Sequence, residues 1–198
     1  KKTKQILYTH EAVNGKKKAV DIEKYPVSLS YLKKHREQLE GRKYVIDAKR
    51  NWFEIWVPQN PLLWLEDKVV FRDICEKPTF WLDKEQSIIN GDCYWMVNDF
   101  RKDEVDILWL ILAVANSSFI ESFYDIKFNN KLYSNKRRFI SQYVEQFPLP
   151  DPKLKTSLEM VDLAKSIFSE SDIRKRAEDE KILDNLVWKA FDIPQPKD

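Results

Sequence analysis

Val105 to Ala115 reads Val-Asp-Ile-Leu-Trp-Leu-Ile-Leu-Ala-Val-Ala, apolar on every side except at Asp106. A helix without a polar face has to be buried, so this run predicts the spine of the domain, and the rest of the chain must cover it. It is roughly half the ~20 residues needed to cross a bilayer, and Asp106 interrupts it. It therefore reads as the core helix of a soluble protein. The segment after it has a different character. Asn116-Ser117-Ser118 ends the run, and Tyr124 to Val144 then carries Lys127, Lys131, Lys136, Arg137 and Arg138 with no Asp or Glu between Asp125 and Glu145. A buried helix thus delivers a basic, aromatic-laced segment to a fixed place. Gln146-Phe147-Pro148-Leu149-Pro150 closes the stretch, because its prolines forbid further helix.

A chain of 198 residues can form one substantial domain, with an appendage, and can bury a real core without staples. Aromatic content of 13 % and hydrophobic content of 43 % argue against disorder. The seven Trp suit both cores and contact surfaces. Net charge is only +2, which excludes a general polycation, so an anionic partner must be read from local clusters. Cys75 and Cys93, with no secretory signal, point to a reducing compartment, the cytoplasm, and free thiols; the sequence leaves a disulfide between them open. The chain opens at Lys1-Lys2 without an initiator Met, as a piece of a longer polypeptide would, with room for catalytic machinery upstream.

In chain order, the first eighteen residues hold six lysines against one acid, Glu11. They read as a solvated lead-in, with Ile6-Leu7-Tyr8 as a short strand and Asn14-Gly15 as a turn. After Tyr25-Pro26, Ser28 or Ser30 is placed to cap a helix running through Tyr31, Leu32, His35 and Leu39 to Gly41. Beyond Tyr44 the period becomes two: behind a turn near Asp47 to Asn51, Trp52, Glu54 and Trp56 share one face of an expected strand, with Phe53, Ile55 and Val57 on the other. Pro58 and Pro61 break it. Lys68 to Ile74 and Thr79 to Leu82 predict further strands, and Ile88 to Val97 predicts a hairpin turning at Asn90-Gly91. Lys131 to Tyr143 returns as strand and loop. The tail from Lys153 to Phe191 is helical, with one stripe of Leu158, Val161, Leu163, Ala164 and Ile167 and another built on Ile182, Leu183, Leu186, Val187, Ala190 and Phe191. A charged joint, Glu170 to Glu180, separates them. The fold class that results is α+β: a mixed or antiparallel β-sheet packed around a central buried helix, with a helical C-terminal extension.

Catalytic signals are weak. His10 and His35 stand far apart and the cysteines are not at zinc-ligand spacing, so no metal is assigned. Three scattered glycines make no phosphate-cradling loop. Asp47 followed by Glu66-Asp67-Lys68 imitates the carboxylate and lysine set of a metal-dependent nuclease, but the pattern is cheap in a chain that is one-third charged and reads first as a solvated turn into the Val69 strand. Nucleic-acid binding has more behind it. Lys131, Lys136, Arg137 and Arg138 alternate with Tyr133, Phe139 and Tyr143, cations for phosphates and rings for bases, although a solvated basic loop would look the same. Arg42, Lys43, Lys49 and Arg50 beside Trp52 form a second cluster. Arg50, Trp52 and Arg72 are the residues taken as base-proximal. Arg72 reads alternatively as an ion-pair partner of Asp73 or Glu76, and Trp52 and Trp56 equally as core.

Several of these residues stand in a known order. Tyr25-Pro26 with Tyr31-Leu32, Leu39-Glu40-Gly41-Arg42, Trp52-Phe53-Glu54-Ile55, and Lys68 to Ile74 resemble successive landmarks of the TaqI-like C-terminal specificity domain. Asn90 to Val97, the helix ending in Ala115-Asn116-Ser117, Arg137-Arg138-Phe139 and Phe147-Pro148-Leu149-Pro150 resemble its later ones, so the likeness runs from about Tyr25 to Pro150. Leu183-Asp184-Asn185-Leu186-Val187-Trp188 is similar to the tail that follows such domains in restriction-modification proteins. The resemblance implies a target-recognition domain over 25–152, between a basic lead-in over 1–24 and a helical extension over 153–198. It implies a module that reads a short double-stranded DNA sequence for an adenine-specific methyltransferase, possessing no cofactor itself. A separate catalytic domain, in the same or a partner chain, would use S-adenosylmethionine to methylate a flipped adenine. Asn60-Pro61-Leu62-Leu63 lacks the second proline and the aromatic of that family's catalytic motif, and Asp67 replaces the proline it places before lysine, so this chain by itself is expected not to methylate. The competing readings are a stand-alone metal-dependent nuclease and a protein-interaction module of a multisubunit defence complex.

Overall fold

The computed structural model describes residues 5–89, 91–98, 106–129 and 131–196. They divide into two compact units, one up to Leu65 and one from Glu66 onward.

The first unit opens on a hairpin. Strands β1 (His10–Val13) and β2 (Lys16–Ala19) pair antiparallel, His10 opposite Ala19, around Asn14 (φ 51°) and Gly15 (φ 73°). Two successive left-handed residues give the turn whose twist suits a two-residue hairpin. The lead-in is therefore organised, and its strand lies at His10–Val13 rather than at Ile6 to Tyr8. Tyr8 is fixed by its side chain: the hydroxyl donates to the Gln59 carbonyl at 2.6 Å and the ring meets Trp64 edge-on at 4.5 Å. His10 is buried 3.5 Å from Glu54; burial pulls its pKa below the usual imidazole value against the opposing pull of Glu54.

Helix α1 (Pro26–Lys33) starts on Pro26 itself, and no side chain caps it. The serine caps expected from the sequence give way to a proline whose fixed φ already suits the first helical position. The single helix expected through Leu39 is broken, because the Lys34 and His35 amides turn back to Tyr31 and Leu32 in tighter three-residue steps. It resumes as α2 (Arg36–Glu40), with Gly41 after it. Next comes α3 (Lys43–Asp47), where the alternating period was expected to begin, and the turn expected near Asp47 to Asn51 follows it at Ala48 and Lys49.

The alternating Trp52 to Val57 segment is not a strand. Its carbonyls are taken by arginines: Arg42 donates to Trp52 at 2.6 Å, and Arg50 to both Ile55 and Trp56. Glu54 accepts from the backbone and side-chain amides of Asn51. A backbone whose acceptors are already satisfied by side chains has less to gain from a ladder. A short 3-10 turn, Pro61–Leu65, ends the unit, and Asn60 Oδ1 accepts from the Leu62 amide at its start.

The second unit holds β3 (Lys68–Arg72), β4 (Ile74–Cys75), β5 (Phe80–Asp83) and β6 (Cys93–Val97). β3 lies between β5 and β6, antiparallel to both, with Val70 opposite Trp81 on one side and Trp95 on the other. The strands expected at Lys68 and Thr79 are thus present. The hairpin expected at Ile88 to Val97 turns on Asn90, which lies outside the described residues; among those described, Ile88 and Ile89 are not strand and Cys93–Val97 pairs with β3.

After the sheet come α4 (Ile107–Ala115) and α5 (Ser118–Phe128), then β7 (Arg137–Arg138), α6 (Ser141–Val144), α7 (Lys155–Ser169) and α8 (Ile173–Ala190). α4 is the expected spine, although Val105 lies outside the described residues. On one side Leu108 and Ala115 join Val69, Phe71, Phe80 and Leu82 of the sheet in one core; on the other Leu110 and Val114 join Met160, Val161, Val187 and Trp188 of the tail helices in a second. Its all-round apolarity is explained by this double burial. Among the described residues no single helix is long and apolar enough to cross a membrane.

The elbow after α4 is where the layers are joined. Asn116 reaches the edge strand β5, accepting from the Phe80 amide at 2.9 Å and donating to the Phe80 carbonyl at 3.0 Å, as a neighbouring strand would. Ser117 caps α5, its hydroxyl accepting from the Ile120 amide. Asp184 of α8 accepts from the Ser118 amide at 2.7 Å and its hydroxyl at 2.6 Å, while Trp188 Nε1 donates to the same hydroxyl. The tail stripes are narrower than expected, since Leu158 and Ile182 are each 52 % exposed. The joint is shorter too: Asp172 caps α8 directly. The fold is α+β with antiparallel sheets, a buried central helix and C-terminal helices, as the periodicities predicted.

Candidate nucleic-acid interface

The basic segment is displayed by a two-residue strand. β7 pairs antiparallel with β4, Arg138 opposite Ile74 and Arg137 opposite Cys75, and because side chains alternate along a strand the neighbouring arginines part company. Arg137 turns inward: 7 % of its side chain is exposed, Nε and Nη2 lie 2.7 and 2.8 Å from the two oxygens of Asp125, Nη2 is 2.9 Å from Glu121, and Nη1 donates to the Glu76 carbonyl. Hydrogen bonds from Arg137, outweighing burial, hold the Asp125 carboxyl below its usual range. Phe139, next along, is fully buried. Arg137 is therefore a structural residue inside the protein, and of the expected phosphate ligands it is the one the fold buries.

Arg138 turns outward and is half exposed; Asp73 accepts from its Nε at 3.2 Å. That contact also settles Arg72. The alternative partnership of Arg72 with Asp73 fails because Asp73 belongs to Arg138, and Arg72, at the end of β3, is exposed with no ion pair among the described residues. Lys136 is exposed as well. Lys131 is half exposed, 2.9 Å from Asp125. The second unit thus presents Arg72, Lys131, Lys136 and Arg138 to solvent, and keeps Arg137.

In the first unit, Arg50 lies over the Trp56 ring, 4.9 Å from its centroid, while bound to the Ile55 and Trp56 carbonyls. Trp52 is half-buried, edge-on to Phe53 at 5.7 Å and beneath Arg36 at 5.2 Å, alongside the small core of Ile22, Leu29 and Leu32. The expected cluster is thus split by role. Arg50 braces a turn, Trp52 packs, and Trp56 is exposed, paired edge-on at 5.3 Å with the likewise exposed Tyr44. Reading 52 to 57 as a strand hid this pair, because a strand offers no reason for Tyr44 on a preceding helix to meet Trp56.

The nuclease-like fragment loses its lysine to the core. Lys68 is fully buried, 2.9 Å from Asp83. Burial alone would raise the Asp83 pKa, but the Lys68 ammonium and the Ser87 amide outweigh it and hold the carboxyl low. Among the described residues no three His, Cys, Asp or Glu side chains converge as metal ligands. Cys75 and Cys93 are free thiols, both pushed up in pKa by burial.

Residues 12–149 match the TaqI-like C-terminal specificity domain. Over 190 residues, 96 % of its length, the chain is 45 % identical to the type II methyltransferase M.BanIII of Aneurinibacillus aneurinilyticus. It spans 33 % of that protein.

Proposed function

Since the chain belongs to the TaqI-like C-terminal specificity domain family, we propose that it is the part of a restriction-modification methyltransferase that recognises a double-stranded DNA sequence. The reaction belongs to a separate catalytic domain that uses S-adenosylmethionine to methylate adenine. The observation that carries this is the likeness to a type II methyltransferase along nearly the whole of this chain but only a third of that relative, which leaves the relative's remaining length for the chemistry. Supporting it, exposed cations stand at Arg72, Lys136 and Arg138 on one unit, the kind of charge that neutralises phosphates, and Arg50, Trp52 and Lys131 remain members of the proposed contact set. Arg137 acts by holding β7 in place. Free thiols accord with work in the cytoplasm.

Flipping a base requires the duplex to be gripped while one nucleotide leaves the stack. A recognition module beside the catalytic one gives that grip and fixes which sequence is presented. The test is enrichment of bound sequences from a random pool of duplexes by the 198-residue chain, followed by binding to the enriched sequence against a scrambled one over a salt series. The proposal requires a short consensus and an affinity that falls with salt. Binding without any consensus, or cleavage of plasmid by the chain with a divalent metal, would replace it.

A further inference from the structure

We infer that the tight loop from Leu132 to Lys136 is a finger that enters a groove of the duplex, with Tyr133 as the side chain set against the bases; this rests on the DNA-recognition reading above. α5 ends at Asn129, whose left-handed backbone (φ 46°) turns the chain out of the helix. The chain then closes on itself. Lys131 forms an antiparallel bridge with Arg137, and the Leu132 amide donates to the Lys136 carbonyl at 2.7 Å. Tyr133, Ser134 and Asn135 form the tip, and both Ser134 (φ 61°) and Asn135 (φ 55°) are left-handed. Neither is glycine. Asn tolerates that conformation and Ser does so less readily, so the closure at the loop's base, the Lys131–Arg137 bridge and the Leu132–Lys136 bond, has to hold the tip in shape. Non-glycine residues kept in such conformations cluster at functional segments.

Tyr133 stands at this tip 92 % exposed, without a hydrogen-bond or ring partner among the described residues. A single exposed aromatic is common on protein surfaces. Here three further facts give it direction. The finger's base is fixed, because Arg137 is held by Asp125, Glu121 and the Glu76 carbonyl, so the loop's backbone needs little further ordering on binding. The flanks are cationic, with Lys136 exposed and with Lys131 and Arg138 half exposed beside Asp125 and Asp73. No carboxylate interrupts the sequence between Asp125 and Glu145. A narrow projection carrying cations on its sides and one ring at its end matches a groove walled by phosphates and floored by bases. The other aromatics of this region are used inside: Tyr124 donates to the Arg138 carbonyl, and Tyr143 stacks on Phe128 at 4.5 Å.

The test is selection from a random duplex pool with the full chain as wild type, Tyr133→Ala, Tyr133→Phe and Lys136→Ala. Tyr133→Ala should keep its thermal midpoint, since the side chain touches little, and lose base preference at one or two adjacent positions of the consensus. Lys136→Ala should keep the consensus and bind every sequence several-fold more weakly. Retention of the preference in Tyr133→Phe assigns the contact to the ring; its loss assigns it to the hydroxyl, and either outcome upholds the finger. An unchanged consensus in Tyr133→Ala, with affinity unchanged or uniformly reduced, overturns the inference while the recognition reading stands. If the wild-type chain binds no duplex, the recognition reading falls and takes the finger with it.

Discussion

Arg137 and Asp125 face each other in a two-armed contact, Nε to Oδ1 at 2.7 Å and Nη2 to Oδ2 at 2.8 Å, while Arg138 beside them points to solvent. Adjacent arginines therefore do opposite work, and single substitutions should separate them. Arg137→Ala leaves Asp125 and Glu121 without their common cation and should lower unfolding free energy by about 1.5 to 3 kcal/mol, read from urea midpoints. Arg138→Ala should leave that midpoint in place. A joint substitution would confuse a folding defect with a binding one.

For Arg72, Lys136 and Arg138, the expected effect is on salt dependence. If each holds a phosphate, its change to Ala should reduce the slope of log affinity against log salt by about one. Fluorescence anisotropy on one duplex from low to physiological salt measures it. An unaltered slope removes that residue from the contact set.

The Arg137 contact also fixes a pH response. The folded-state pKa of Asp125 lies below its usual value, so the stability it contributes is complete above the unfolded value, about 4, and is lost as pH falls through the lower folded value. Comparing wild type with Asp125→Asn should give a constant gap in urea midpoint from neutral pH down to about pH 4, closing beneath it. A gap that persists at the acid end would contradict the linkage.

How much of this could be read beforehand depended on what stabilises each element. α4 was legible because burial on two sides demands apolarity on all sides, and α7 and α8 because an amphipathic stripe repeats with the helical period. Trp52 to Val57 misled, since alternating apolar residues say nothing about Arg42 and Arg50 capturing the carbonyls. The partner of Cys93–Val97 was misassigned because Asn-Gly signals a local turn, whereas β3 offered a longer antiparallel match. Within the site, the charges at 131 to 138 were visible as composition, but the division of Arg137 from Arg138 follows from β7 being a strand only two residues long, too short to leave a periodic signal.

Asn116 offers a test of the sheet edge. Its amide replaces a strand for Phe80, so Asn116→Ala should cost about 1 to 3 kcal/mol by leaving those backbone groups unmatched. Hydrogen exchange at the Phe80 amide should accelerate in step. Retained protection there would show that another group had taken the asparagine's place.

Asp184→Ala removes the acceptor for two donors of Ser118, and should destabilise the chain by about 1 to 3 kcal/mol. The tail should loosen first, seen as faster exchange along α8 than along β3. Uniform acceleration in both would indicate that the helices and the sheet unfold together.

The Ser118–Asp184 contact has a practical bearing on engineering. The family match stops at residue 149, and a designer grafting this domain would naturally cut there. Such a graft would leave behind the carboxylate that meets Ser118 and the indole that covers Phe119, so the recipient would inherit an uncovered hydrophobic wound. A seam placed beyond Phe191, whose ring stacks on Phe119 at 4.3 Å, keeps donor helices with the donor surface that they grew to fit.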